Sequence, residues 1–227
     1  MPTVVDVGCS YGVNAALLRC DATIDELYDR YGGADGAGLG RDELVARDRA
    51  FVRSRRDPEA VRFVGLDRSA PALTYALDAG LLDDAVEADL ESGPATEEQR
   101  ARLAGADIVI STGCLGYVGE RTIRQVAEAG RRDPRDGPGS SGRLPWMAHF
   151  VLRMFSYDPI AESLSELGYE TEHIEGVFKQ RRFASAQEQA LVLDNLSSAG
   201  VDPQGLEADG WMYAQLHLSL PPKRGQG

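Results

Sequence analysis

The sequence predicts an α/β fold: a mostly parallel sheet with helices on both faces. Two observations carry this. Short apolar or β-branched runs alternate with helix-length segments along most of the chain. Several of those runs end in a glycine turn or an acidic residue, as strands that lead into a ligand site do. A length of 227 residues suits one domain with extra segments better than two.

The elements follow in order. Residues 4–7 form the first strand, broken by Gly8-Cys9-Ser10-Tyr11-Gly12, and 13–19 a helix. A strand at 61–66 ends in Asp67 and leads to a helix at 70–79, closed by Gly80. A short strand at 85–88 ends at Asp89, with a helix at 97–103. The strand at 107–110 is broken by Gly113 and Gly116 and followed by a helix at 121–129. Residues 146–153 make the fifth strand and 160–167 a helix stopped by Gly168. Strands at 169–174 and 211–218 flank a helix at 186–198, which makes the sheet seven-stranded. The last two strands alternate polar and apolar residues, a pattern that suits antiparallel pairing at the edge.

Two segments interrupt this rhythm. Residues 20–59 far exceed the few residues such a connection takes, so they predict a helical insert, with helices at 24–31 and 41–52. Residues 131–145 are rich in Gly, Pro, Ser and Arg and predict a flexible surface loop.

Composition narrows the functions. The chain is 43% hydrophobic and 26% charged, which excludes wholesale disorder. Acidic residues outnumber basic ones 36 to 24, for a net charge of -12. A broad basic nucleic-acid surface is therefore not expected. No apolar run reaches the ~18–20 residues of a membrane span. No charged-then-apolar leader opens the sequence, so the cytoplasm is the expected location. Cys9, Cys20 and Cys114 form neither a disulfide framework nor a CxxC pair, and no His/carboxylate cluster has ligand spacing, so no metal is expected.

The informative feature is Asp6-Val7-Gly8-Cys9-Ser10-Tyr11-Gly12, between a strand and a helix. Such a turn lets a ligand approach the backbone and the helix N-terminus. A dinucleotide fingerprint wants G-x-G-x-x-G, and here the last glycine comes one residue early. The G-x-S-x-G elbow of serine hydrolases matches literally, but the oxyanion loop of that fold lies upstream, where this chain has only a short strand.

A third reading covers nearly the whole chain: it resembles class I S-adenosylmethionine (SAM)-dependent methyltransferases, whose fold is a Rossmann-like, doubly wound sheet with an antiparallel terminal strand. Asp6, Gly8, Cys9, Ser10 and Gly12 match the family's first motif, D/E-x-G-x-G/S-x-G. Asp67 matches the acid that binds the ribose hydroxyls, with Arg68 beside it; a carboxylate can accept from both hydroxyls of a vicinal diol. Asp89-Leu90 match the pair that contacts adenine. Ser111, Thr112 and Gly113 fall where the family places its fourth motif, beside the transferred methyl. The resemblance implies a single SAM-binding domain over 1–227 that methylates an O or N atom of a small-molecule metabolite. Aminocarboxypropyl transfer, cyclisation releasing methylthioadenosine, and non-catalytic SAM binding are the alternatives on the same scaffold.

Two departures stand out. Asp67 lies far beyond the ~20 positions an uninterrupted unit takes, and the insert accounts for the surplus. Relatives carry helices before the first strand that cap the substrate; here the insert 20–59 is the candidate cap, over its own cleft or a neighbour's in a homodimer. Candidate catalytic groups are Tyr117, in a glycine-flanked loop, and His149, in the fifth strand, although a histidine there also reads as a packed residue. Candidate substrate contacts are Tyr28, Tyr31, Tyr117 and Tyr157, with Tyr28 and Tyr31 at a packing spacing (i, i+3) as well. Arg47, Arg49, Arg53, Arg55 and Arg56 read either as a solvated helix face paired with Asp48, Asp57 and Glu59 or as an anion clamp.

Overall fold

The computed structural model describes residues 1–32, 38–56, 61–131 and 142–221. Among these residues seven strands form one sheet in the order β3-β2-β1-β4-β5-β7-β6. They are β1 (Thr3–Val7), β2 (Arg62–Asp67), β3 (Asp84–Glu87), β4 (Ile108–Thr112), β5 (Trp146–Leu152), β6 (Glu170–Arg182) and β7 (Trp211–Leu220). The first five run parallel, and β7 pairs antiparallel with both β5 and β6. This is the doubly wound sheet expected of a class I methyltransferase-like domain.

Burial explains the central strands. Four of the six residues of β2, Phe63 to Leu66, are buried, which is how a parallel strand covered on both faces reads. Among the described residues eight α-helices complete the fold: α1 (Val13–Arg19), α2 (Ile24–Gly32), α3 (Arg41–Arg55), α4 (Ala70–Ala79), α5 (Glu97–Leu103), α6 (Glu120–Ala129), α7 (Asp158–Ser165) and α8 (Ala186–Ser198). One face of the sheet packs through Val5, Val7, Val109 and Met147 against α5, α6 and α7. The other packs through Val4 and Phe63 against α1, α4 and the insert helices α2 and α3. A smaller cluster seats α8 on Leu152, Met212 and Ala214.

Local signals set the helix ends. Ser69 caps α4, accepting from the Ala72 N–H at 3.4 Å, and Gly80 ends it in a left-handed conformation. Thr96 and Gln99 form a capping box on α5. β6 departs most from expectation. It runs 13 residues rather than ending at 174, because the chain passes Gly176 through a register shift instead of a turn. It is also the edge strand, with β7 inside it. Residues 132–141 of the expected loop at 131–145 lie outside the described residues, as do Asp57 and Glu59. Among the described residues no helix is long and apolar enough to cross a membrane, and no group of three His, Cys, Asp or Glu side chains could hold a metal ion.

The insert is tied to the body through a buried carboxylate. Asp48 on α3 accepts from Arg30 Nε at 3.0 Å and the Tyr31 hydroxyl at 2.8 Å, both on α2, and from the Tyr75 hydroxyl on α4. In the arginine cluster Arg47 pairs with Asp48 at 3.6 Å, as expected. Arg55 pairs with Glu26 and Arg56 with Asp83; Arg49 donates to the Asp78 carbonyl, and Arg47 stacks over Tyr31. At its far side α2 crosses to the edge strand, where the Tyr28 hydroxyl accepts from the Arg182 N–H at 3.0 Å.

Candidate active site

The order β3-β2-β1-β4 sets the acidic strand ends side by side. Chain winding reverses between β1 and β4, the place where open α/β sheets bind ligands. The turn after β1 is built for close approach. Gly8 has φ +70°, and a Cβ there would stand 2.7 Å from Cys114 Cβ, so no larger residue fits. The Cys114 thiol donates to the Val7 carbonyl at 3.2 Å, locking the β4 loop onto this turn. The Gly8 N–H donates to the Leu66 carbonyl at 2.8 Å and so fixes the turn to β2. Ser10 is a non-glycine residue at φ +50°, a strained conformation. Its N–H donates to Asp67 Oδ2 at 2.9 Å, which holds it there.

Asp67 accepts a second backbone N–H, from Ser69 at 2.9 Å. Each carboxylate oxygen has two lone pairs, so acceptor capacity remains on both. Asp89 accepts from the Ser92 hydroxyl at 2.9 Å, which holds its carboxyl below the usual range; the Arg68 charge acts the same way. Leu90 sends its side chain into the core and its carbonyl to Gln125 Nε2 at 2.9 Å. Ser111 and Thr112 are the last residues of β4, and the Gly113 N–H donates to the Phe150 carbonyl at 3.1 Å. Cys9 is buried, and burial pushes its thiol far up, so it is inert at neutral pH.

Asp6 is the unusual group. It is fully buried, and Asn14 Nδ2 donates to its Oδ1 at 2.9 Å. Its Oδ2 has no partner among the described residues. Burial raises its pKa from 3.8 to about 7; the Asn14 hydrogen bond opposes this and the Asp67 charge adds to it. A buried carboxylate oxygen without a donor suits a cationic or donor group from a ligand. The small-residue turn beside it suits a ligand that closes on the backbone. Both features fit the amino-acid end of the cofactor implied by the resemblance.

Sequence reasoning missed two groups that hold this arrangement. Asn14 bridges Asp6 and Thr112 Oγ1, the latter at 3.1 Å, joining β1, α1 and β4. Its only signal is a polar residue inside the apolar run of α1. Glu91 accepts from the N–H groups of Gly119 (3.0 Å) and Thr122 (3.2 Å) and from the Thr122 hydroxyl, tying the loop after β3 to the start of α6.

The other candidate residues divide. Tyr117 is 74% exposed and sits edge-on to Phe155, with ring centroids 5.8 Å apart. Tyr28 lies where α2 meets the end of β6. Tyr31 spends its hydroxyl on Asp48. His149 and Tyr157 are not brought to the open strand ends. Both are buried on the sheet face that packs against α6 and α7. His149 Nδ1 lies 2.7 Å from Ser111 Oγ, its Nε2 has no partner among the described residues, and burial lowers its pKa to about 3. Tyr157 stacks on His217 at 4.4 Å.

No protein-family model and no curated protein matches the sequence. Solved structures similar to it include an arsenic(III) S-adenosylmethionine methyltransferase from Chlamydomonas reinhardtii. The identity is 12% and the TM-score 0.47, over 100% of this chain and 65% of that one. A TehB-like SAM-dependent methyltransferase from Corynebacterium glutamicum has 12% identity and a TM-score of 0.41, over 95% and 79%. A precorrin-6y C5,15-methyltransferase from Geobacter metallireducens has 11% identity and a TM-score of 0.40, over 97% and 79%. The fold class itself rests on the strand order and direction in this chain.

Proposed function

We propose that this chain binds S-adenosyl-L-methionine at the ends of β1 to β4 and transfers its methyl group to an O or N atom of a small-molecule metabolite in the cytoplasm. The observation that carries the reading is the unpartnered, buried Asp6 Oδ2 beside a turn that admits only glycine at position 8. Asp6 would take the cofactor's ammonium, Asp67 its ribose diol, and Asp89 with the Leu90 backbone its adenine. The cofactor supplies an electrophilic methyl on a sulfonium.

The protein's own contribution is positioning, which can supply much of the acceleration of a displacement. Tyr28, where the insert reaches β6, and Tyr117 in the β4 loop are the hydroxyls available to orient an acceptor. With a pKa of about 3, His149 stays neutral and weakly basic across the physiological range, so Tyr117 is the better candidate to handle a proton. The net charge of -12 favours a metabolite over a nucleic acid.

Calorimetric titration tests the reading. SAM and S-adenosylhomocysteine should bind with micromolar affinity while NADH stays silent. Asp67→Ala should weaken SAM at least tenfold; an unchanged affinity removes Asp67 from the site, and silence from SAM removes the reading. Turnover products then decide the chemistry: S-adenosylhomocysteine marks methyl transfer, and methylthioadenosine marks attack on the carbon chain.

A further inference from the structure

A cavity of about 570 Å³ lies between the insert and the body, on the helical side of the glycine turn. That volume falls within the roughly 300–1,000 Å³ of small-molecule pockets. Its deeper wall is Ala16 from α1, Leu27 from α2, Tyr75 from α4 and Leu81, all buried. Tyr11 and Tyr31, both substantially exposed, flank the opening.

Apart from the Tyr11 hydroxyl at the exposed rim, the polar side chains among the described lining residues are committed elsewhere. The hydroxyls of Tyr31 and Tyr75 both donate to Asp48. The Arg41 guanidinium, also on the wall, pairs with Asp78 at 2.8 Å. Water inside would find few of the two to four partners that an ordered buried water needs. An ionised ligand would find no unspent countercharge on this wall, and burying it would cost its hydration.

We propose that this cavity is a binding site for a neutral, apolar small molecule of aromatic or alicyclic type, bound through its hydrocarbon surface. The cavity is separate from Asp6, Asp67 and Asp89, so the site stands whether or not the chain binds SAM. Because Tyr11 and Gly12 belong to both the wall and the glycine turn, an occupant would lie directly against the candidate active site.

Two fluorescent probes with the same rings test both the site and its charge preference: neutral N-phenylnaphthylamine and its sulfonated counterpart, anilinonaphthalene sulfonate. The full chain without added ligand should bind the neutral probe saturably, one per chain, and at least tenfold more tightly than the anion. Leu44→Trp, which fills the cavity from α3, should weaken the neutral probe at least tenfold with the far-UV spectrum and Tm retained. If that variant is unstable, Val13→Trp, at the exposed start of α1, replaces it. Equal affinity for the two probes, non-saturable binding, or full binding in a folded, filled variant would overturn the proposal. SAM titration of the same variant reads the cofactor site separately.

Discussion

β2, which pairs in parallel, and β6, which pairs only antiparallel with β7, lie at opposite sides of β1 in one sheet and bury themselves in opposite ways. β2 hides four of its six residues, whereas none of the thirteen residues of β6 is fully buried. The comparison extends to the halves they belong to. In the β3-β2-β1-β4 half, polar groups are buried and held by named partners: Asp6 by Asn14, Asp48 by two tyrosines and an arginine. In the β5-β7-β6 half, the three histidines form one cross-strand row. His149 lies opposite His217, and His217 opposite His173, running from buried through half-buried to exposed. The central strands are thus covered on both faces, while the edge strand that meets the insert is exposed.

The largest effect should come from Asp48. It is almost fully buried, and three donors from α2 and α4 converge on it. Asp48→Ala leaves the Arg30 charge and two hydroxyls without their acceptor, a loss of about 3–5 kcal/mol. Whole domains carry only about 5–15 kcal/mol, so urea midpoints should fall sharply. Asp48→Asn keeps an acceptor and should lose less. A loss below about 1 kcal/mol for Asp48→Ala would mean that the insert is not fastened through this carboxylate.

Next come the two buried titrating groups, one in each half, with opposite pH dependence. Asp6 has its folded pKa raised from 3.8 to about 7, so between these values the folded state holds a proton that the unfolded state has released. That contribution lowers stability as pH rises. His149 has its folded pKa lowered from 6.5 to about 3, so in that range the unfolded state holds the extra proton. That contribution lowers stability as pH falls. Between pH 4 and 6.5 the two cancel. Asp6→Asn should unmask the histidine, making stability rise with pH relative to the parent by on the order of 1.4 kcal/mol per unit. His149→Gln should unmask the aspartate and tilt the curve equally the other way. Denaturation at several pH values reads both slopes; two slopes of the same sign would break the comparison.

Much of this was legible because it is local. The bounds of α1, α4, α5 and α8 follow from glycine, serine and threonine signals within a few residues of each end, and the observed helices coincide with them. The acids at strand ends were legible for the same reason: each stands where an apolar run stops. What stayed hidden depends on partners distant in sequence. Nothing near Glu91 announces that it caps α6, and nothing near Asp48 announces Tyr75. The sequence around His149 leaves both a packed and a catalytic reading open, and its burial is decided by α6, α7 and the Ser111 hydroxyl across the strand. The length of β6 was hidden by Gly176, since a glycine in a strand reads as a stop whether it makes a turn or a register shift.

The smallest effect belongs to the exposed edge. Val177 lies in β6 with 40% of its surface exposed, beside the shift between Ile174 and Phe178. Val177→Thr preserves the branching at Cβ that suits a pleated strand and removes little apolar burial. Surface changes of this kind stay within about 0.5 kcal/mol. Val64→Thr, the same change on fully buried β2, would put a hydroxyl into the core and should cost about 1–3 kcal/mol. Measured together by urea denaturation, the pair compares the two strands with the chemistry held constant. A cost at Val177 equal to that at Val64 would mean that β6 is covered in solution, and the edge would then have to be treated as an interface.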